Sequence, residues 1–158
     1  MPIEIRLLSP CDADVLRNVA PEAFDHPIDA EATQEFLSDA HHHLVVAIEN
    51  GLVVGFISAV HYLHPDKRYP ELWINEVQVA ATHQNRGLAK GMLANILKRA
   101  QELRCTEAWV LTGVDNVPAK RLYSSLGGIE GPHDGVMFTF RLNDEEKKPN
   151  AAAIGTNR

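Results

Sequence analysis

The stretch from Val77 to Lys90 has the residue types of a site for phosphate oxygens. A strand pattern ends at Val79, a polar loop contains Arg86 and Gly87, and an amphipathic helix pattern follows. The first N–H groups of a helix lack acceptors within the helix and carry positive potential, so they bind anions. Arg86 and Lys90 add charge, and Gly87 permits close approach. The same residues could instead form a plain turn before a capped helix, and they match neither G-x-x-x-x-G-K-[ST] nor G-x-G-x-x-G.

The elements that follow this loop are predicted from apolar spacing. Leu88–Leu103 has helical periodicity, and Asn116–Leu126 forms a second helix that ends at Gly127-Gly128. Ala108–Thr112 is predicted as a short strand and Val136–Leu142 as the last one, with a further short strand near Ile129.

The first half of the chain alternates strand patterns with short helix patterns. The predicted strands are Ile3–Leu8, Leu44–Ile48, Leu52–Val60 and Leu72–Val79, with a type I′ turn at Asn50-Gly51. The predicted helices are a short one capped by Asp12 and ending at Ala20, and one at Asp29–Ala40; His61–Pro70 is predicted as a polar loop. Strict alternation would place Trp73, Asn75, Val77 and Val79 on one side of their strand, with Leu72, Ile74, Glu76 and Gln78 on the other.

This order of elements predicts an α/β (α+β) fold with a mixed, mostly antiparallel sheet of about six or seven strands flanked by helices. The crossover through the helix at Leu88–Leu103 should be right-handed and join parallel strands. We expect one domain over residues 1–142 and a mobile tail over 143–158, where periodicity is lost.

Composition excludes several classes of protein. The chain has 158 residues, 45% hydrophobic and 23% charged, with a net charge of −6. Acids predominate up to residue 80 and bases between 81 and 142, which disfavours a nucleic-acid surface and would suit an anionic ligand bound beside a cationic one. We see no signal peptide and no membrane span, and two cysteines are too few for a disulfide scaffold, so we expect a cytoplasmic protein without a membrane or nucleic-acid partner.

Two strings resemble motifs of the GNAT family of N-acetyltransferases. Gln84-Asn85-Arg86-Gly87-Leu88-Ala89 resembles that family's acetyl-coenzyme A signature Q/R-x-x-G-x-G/A, with Ala89 in place of the commoner glycine. Asn116 to Gly127 resembles the later element N-x-x-A-x-x-L-Y-x-x-x-G. The likeness covers Ile3–Leu142 and implies a GNAT-like fold. A narrower likeness, in His61–Lys67, Glu71–Val77 and Val136–Phe140, is to the aminoglycoside 3-N-acetyltransferases and their uncharacterised relatives.

The resemblance implies an acetyltransferase that uses acetyl-coenzyme A (acetyl-CoA) as co-substrate. It makes Glu76 the general base, acting directly or through water, and Tyr123 the general acid, with a backbone N–H near Val79 holding the acetyl carbonyl. The implied cofactor-binding residues are Val77, Gln78, Val79, Gln84, Asn85, Arg86, Gly87, Leu88, Ala89, Lys90, Asn116, Ala119 and Tyr123. From the residues alone, Glu76 could be a solvent-facing strand residue, Tyr123 a packed aromatic and Asn116 a helix cap.

The acceptor implied by the resemblance is a small cationic amine, with an aminoglycoside in first place. A polyamine or a protein amine is the alternative, and a non-catalytic coenzyme A sensor is a further one. The candidate acceptor residues are Phe24, Asp25, His61, Glu71 and Glu76, although acidic side chains are usually solvated. The resemblance is compatible with a homodimer. No metal is expected, because His41-His42-His43 and His61-x-x-His64 lack the spacing of zinc ligands.

Overall fold

A computed structural model of the protein describes residues 2–143. The strands are β1 (Glu4–Leu7), β2 (His42–Glu49), β3 (Leu52–His64), β4 (Lys67–Val79) and β5 (Ala108–Val110). The α-helices are α1 (Ala30–Ser38), α2 (Leu88–Glu102) and α3 (Val117–Ser125), and 3₁₀ helices occupy Pro10–Arg17 and Ala81–His83. All but Asn143 of the predicted tail lies outside the described residues.

One mixed sheet organises the chain and confirms the predicted fold class. Its strand order is β1-β2-β3-β4-β5, in which the first four strands are antiparallel and β5 is parallel to β4. The parallel pair is joined through α2, as predicted. Within residues 2–143 the sheet has five strands rather than six or seven.

The predicted strand at Val136–Leu142 does not form. Val136 is 80% exposed and Leu142 is 90% exposed, and the segment pairs with no strand of the described chain. The short strand expected near Ile129 is absent as well from the described residues, and Ile129 is 96% exposed. Alternating apolar and polar residues indicate only a preference for extended backbone, whereas a strand also needs a neighbouring strand for its backbone hydrogen bonds.

The predicted loop at His61–Pro70 is instead the end of a long β-hairpin. Only Pro65 and Asp66 separate β3 from β4, and Tyr62 pairs with Glu71 across the ladder. Pro70 falls in the irregular part of this ladder, where a missing N–H is tolerated. The polar side chains that indicated a loop lie on strands instead.

The first helical segment is a 3₁₀ helix and ends at Arg17 rather than Ala20. Ser9, not Asp12, is its N-cap, and Asp12 lies at the third helical position, where its carboxylate accepts a hydrogen bond from the Ser9 N–H at 2.7 Å. This reciprocal arrangement is a capping box, so the predicted cap was displaced by three residues. By contrast, Asp29 caps α1 through the Ala32 N–H.

The helices cover both faces of the sheet. α2 packs on one face, over a core that includes Ile57, Leu72, Val77, Met92 and Ile96. The first 3₁₀ helix and α1 cover the other face through Leu16, Leu37, Val46, Val53 and Phe56.

A β-bulge at Asn75 divides β4 into two halves and overturns the predicted division of its faces. Ile74 lies opposite Ala59 and Glu76 lies opposite Ser58, so Asn75 is an extra residue without a partner across the ladder. Leu72, Ile74, Val77 and Val79 therefore all face the core beneath α2. Glu76 and Gln78 face the opposite side together with Trp73. The simple alternation read from the sequence missed this shift because it assumed a regular strand.

Candidate active site

The two parallel strands, β4 and the edge strand β5, stop pairing beside the bulge. β4 pairs with β5 only from Leu72↔Ala108 to Ile74↔Val110, whereas β4 continues to Val79. The Ala80 N–H bonds to the Val54 carbonyl on the β3 side at 2.8 Å. Since successive residues of a strand direct their backbone groups to alternate edges, the N–H groups of Val77 and Val79 are directed to the open edge.

A cavity of about 570 Å³ lies along this open edge. That volume is within the range of small-molecule sites. It is formed by the second half of β4, the loop before α2, the start of α2 and one side of α3. Its lining residues are Val77, Val79, His83, Gln84, Asn85, Gly87, Leu88, Ala89, Lys90, Asn116, Pro118, Ala119, Leu122 and Tyr123.

The loop before α2 presents backbone N–H groups to the cavity. Asn85 and Gly87 have positive φ values of 59° and 76°, and a Cβ atom on Gly87 would meet nothing within 4 Å. The glycine is therefore required by its left-handed backbone conformation. The first intrahelical bond runs from the Gly91 N–H to the Gly87 carbonyl, so the amides of Leu88, Ala89 and Lys90 precede it. This arrangement, with the Lys90 ammonium, can bind phosphate oxygens.

Side-chain contacts hold this loop in place. The Gln84 side-chain amide donates to the Val79 carbonyl at 3.2 Å. The Arg86 guanidinium lies outside the cavity lining, because it donates to both carboxylate oxygens of Glu49 at 2.7 and 3.3 Å. His83 Nε2 lies 2.8 Å from the same carboxylate. The sequence did not single out Glu49 or His83, and Glu49 precedes the loop by more than thirty residues with no motif to mark it.

Tyr123 reaches the cavity from α3. Asn116 caps this helix by accepting from the Ala119 N–H at 3.2 Å, and both residues also line the cavity. The Tyr123 hydroxyl is buried and has no hydrogen-bond partner among residues 2–143. Burial raises the pKa of Tyr123 well above its usual value. The phenol therefore stays protonated and can donate to a ligand atom in the cavity.

Glu76 lies on the other face of β4, at the bulge. Burial raises the pKa of its carboxyl, the negative charge of Asp25 raises this pKa further, and His26 partly opposes the shift. Phe24 stacks on Phe56 with ring centroids 4.0 Å apart. The segment Phe24–His26 is thereby placed beside Glu76, although it precedes Glu76 by about fifty residues. A carboxyl with a raised pKa is a stronger base at neutral pH.

The two other acceptor candidates are not brought together with Glu76. The Glu71 carboxylate shares its face but accepts from Lys67 at 2.6 Å and from the Tyr62 hydroxyl at 3.0 Å. His61 lies on the opposite face, beneath α2, with its Nδ1 2.8 Å from His43 Nε2.

An aromatic pair that the sequence analysis did not identify borders the Glu76 face. Trp73 and Trp109 contact edge to face with centroids 4.7 Å apart, and Trp109 is 51% exposed. The Trp109 indole N–H donates to the Tyr62 hydroxyl at 2.6 Å, which fixes the ring. Only the β4–β5 register, which places Trp73 opposite Trp109, could have revealed this pair.

Two features are absent from the described part of the chain. No three His, Cys, Asp or Glu side chains of residues 2–143 are grouped as metal ligands. No helix among those residues has the length and apolar character to cross a bilayer.

Comparison with protein families identifies this architecture. The model of the acetyltransferase (GNAT) family matches residues 13–127, which include β2 to β5, α2 and α3. The chain belongs to this family.

Individual relatives are more distant. N-acetyltransferase 8 of Rattus norvegicus is 29% identical over 98 residues, which make up 62% of this chain and 44% of the rat protein. This chain therefore spans less than half the length of that relative.

Two solved structures share the fold. An aminoglycoside acetyltransferase, HMB0005, from an uncultured soil metagenomic sample superposes with a TM-score of 0.73 at 21% identity, covering 90% of this chain and 100% of that chain. The enzyme AAC(6')-Iy, in complex with the bisubstrate analogue CoA-S-monomethyl-acetylneamine, superposes with a TM-score of 0.71 at 21% identity and the same coverage.

Proposed function

We propose that this protein is an N-acetyltransferase that moves an acetyl group from acetyl-CoA to a primary amine of a small cationic acceptor. The observation that carries the proposal is the Tyr123 hydroxyl, buried at the wall of the cavity and without a partner among the described residues. A buried hydroxyl without a partner is costly, so one on a residue that lines a cavity indicates that a ligand atom accepts its hydrogen bond.

The chain can hold acetyl-CoA along the whole cavity. The amides of Leu88, Ala89 and Lys90 suit the diphosphate, because they combine free donors with the positive end of the α2 dipole. The open edge of β4 offers the backbone groups of Val77 and Val79 to the amides of the pantetheine arm, as an added strand would. The thioester of this co-substrate supplies the activated acetyl group.

Three groups of the chain would each carry out one part of the acetyl transfer. Glu76 removes a proton from the acceptor ammonium, directly or through water, so that the amine nitrogen can form its bond to the acetyl carbon. The N–H of Val77 or Val79 stabilises the charge that develops on the acetyl oxygen. As the carbon–sulfur bond breaks, Tyr123 donates its proton to the departing thiolate. The two faces of β4 thus serve the two substrates, and positioning supplies much of the rate.

We further propose an aminoglycoside as the acceptor, acetylated at an amine of the 3-N type, with inactivation of an antibiotic as the consequence. Glu76 and Asp25 give the acceptor face negative charge, and the exposed ring of Trp109 can stack on a sugar ring or attract an ammonium group. Structural neighbours that are aminoglycoside acetyltransferases support this class of acceptor. One neighbour is of the AAC(6') type rather than the 3-N type, so the position of the acetylated amine has to be determined from the reaction product.

The test is thiol release from acetyl-CoA with a panel of amines: a set of aminoglycosides, spermidine and a short peptide. We expect release above background with at least one aminoglycoside, and NMR of the product then assigns the acetylated amine. Release with only spermidine or the peptide would move the acceptor to those classes. Coenzyme A binding without release from any amine would favour a non-catalytic sensor.

A further inference from the structure

We propose that Glu49 is a positioning residue for the coenzyme A-binding loop, and that Arg86 anchors this loop rather than binding phosphate itself. In this arrangement Glu49 holds Arg86 and His83 so that the backbone amides at the start of α2 stay directed into the cavity. The inference rests on the proposed function, since it takes the cavity to be the coenzyme A site.

The contacts of Glu49 are complete without a ligand. Arg86 donates to both carboxylate oxygens, and His83 Nε2 shares one of them at 2.8 Å. The carboxylate is only 20% exposed and the His83 side chain 16%. The hydrogen bonds from Arg86 and His83 lower the pKa of Glu49 to about 2, so the anchor is ionised throughout the working range of pH. A two-pronged guanidinium–carboxylate pair also fixes orientation.

The loop needs such an anchor because of its backbone. Only residues 84–87 separate the short 3₁₀ helix from α2, and Asn85 and Gly87, on either side of Arg86, are both in the left-handed region. A non-glycine residue in that region is strained and persists where its surroundings hold it. Glu49 ends β2 beside the Asn50-Gly51 turn and pairs with Leu52, so it offers a rigid attachment point.

The two possible roles of Arg86, phosphate ligand or loop anchor, predict opposite effects of substituting Glu49. If Arg86 binds phosphate, Glu49 competes for its guanidinium, and Glu49→Gln should release the arginine and tighten coenzyme A binding. If Arg86 is an anchor, the same substitution frees the loop and weakens binding, even though it removes a negative charge from the region. The sign of the change therefore decides between them.

The experiment is calorimetric titration of coenzyme A and of pantetheine, which lacks the diphosphate. The variants are Glu49→Gln, Arg86→Gln, the double variant and Asp14→Asn, which breaks an exposed Asp14–Arg17 pair in the first 3₁₀ helix. We expect each single variant to bind coenzyme A about three- to ten-fold more weakly, as a partly exposed ion-pair network allows. The double variant should be no weaker than the weaker single one. Pantetheine binding and the Asp14→Asn control should not change.

Tighter or unchanged coenzyme A binding by Glu49→Gln would overturn the inference, as would additive losses in the double variant. An equal loss for pantetheine would also overturn it, since the effect would then be a general disturbance of the fold. If the wild-type protein bound no coenzyme A at all, the proposed function itself would fail, and that result is separate from every comparison among variants.

Discussion

The Tyr123 hydroxyl is buried and has no hydrogen-bond partner within the described chain, a combination that destabilises the folded protein. For Tyr123→Phe we expect kcat to fall about 100-fold or more through loss of the acid, with coenzyme A affinity nearly unchanged. Stability should be kept or improved, because an unpartnered buried polar group costs about 1–3 kcal/mol. Steady-state kinetics, calorimetry and thermal unfolding measure the three quantities.

The matched control is Tyr62→Phe, since Tyr62 bonds to Glu71 and Trp109. This variant loses both hydrogen bonds of the hydroxyl, each worth about 1 kcal/mol, so it should lower the free energy of unfolding by about 2 kcal/mol. Full turnover by Tyr123→Phe would remove Tyr123 as the acid.

Glu76 can be tested through its neighbours as well as directly. Glu76→Gln should reduce kcat/KM most at low pH, where free amine is scarce. Asp25 raises the Glu76 pKa and His26 lowers it. Asp25→Asn should therefore shift the acidic limb of the kcat/KM profile to lower pH, and His26→Gln should shift it to higher pH. A profile that stays in place in both variants would leave Glu76 without the role of titrating base.

For individual residues, the sequence singled out those that lie within short motifs and missed those whose neighbours are set by strand register. Glu76 and Tyr123 were predicted as catalytic residues because motifs surround them, and those roles stay predictions. Glu49 and Trp109 were not, because each reaches its neighbours through strand pairing between distant parts of the chain. Residue identity alone also could not show that His61 lies beneath α2, on the opposite side of the sheet from Glu76.

Among the elements, the bulge in β4 has the clearest consequence for function. Deletion of Asn75 would make the ladder regular while leaving Ile74 and Val77 on the core face and Glu76 on the other. We expect this deletion variant to fold, but with kcat/KM reduced at least about 10-fold, because a bulge bends its strand and that local bend beside the open edge of β4 would be lost. Asn75→Ala keeps the extra residue and should retain activity. Wild-type kinetics in the deletion variant would show that the bulge does not shape the site.

The start of α2 permits a paired glycine test. Gly87→Ala forces a side chain into φ 76° and should cost about 1 kcal/mol and weaken coenzyme A binding. Gly91→Ala lies inside the helix, where the new Cβ would meet Ile5 at 3.5 Å, an ordinary contact. The second variant should bind normally and be as stable as the wild type or up to about 1 kcal/mol more stable. Chemical denaturation and calorimetry compare the two, and equal binding by both would contradict the role given to the loop.

Elements with strong periodicity were predicted well, and those defined by their neighbours were not. α2 and α3 agree closely with their apolar spacing, and the Asn50-Gly51 turn has the two positive φ values of a type I′ hairpin. The end of the β3–β4 hairpin, His61–Pro70, was predicted as a loop because most of its side chains are polar. Val136–Leu142 was taken for a strand although no neighbour within the described chain accepts it.

For the molecule as a whole, the cavity joins β4, α2 and α3, so its ligand should stabilise all three. Coenzyme A at a hundred times its Kd should add about 2.7 kcal/mol to the free energy of unfolding, or about 5–10 °C in Tm. Thermal unfolding with and without coenzyme A measures this shift. Adenosine, which lacks the diphosphate, is the control and should give a much smaller shift at the same concentration.

The most direct test of the account is a crystal structure of the protein with coenzyme A. We expect the diphosphate oxygens within about 3.2 Å of the backbone nitrogens that open α2, and the sulfur within about 4 Å of the Tyr123 hydroxyl oxygen. Arg86 should remain on Glu49. A diphosphate bound elsewhere, or a sulfur atom remote from Tyr123 with that hydroxyl still unpartnered, would contradict the central claim.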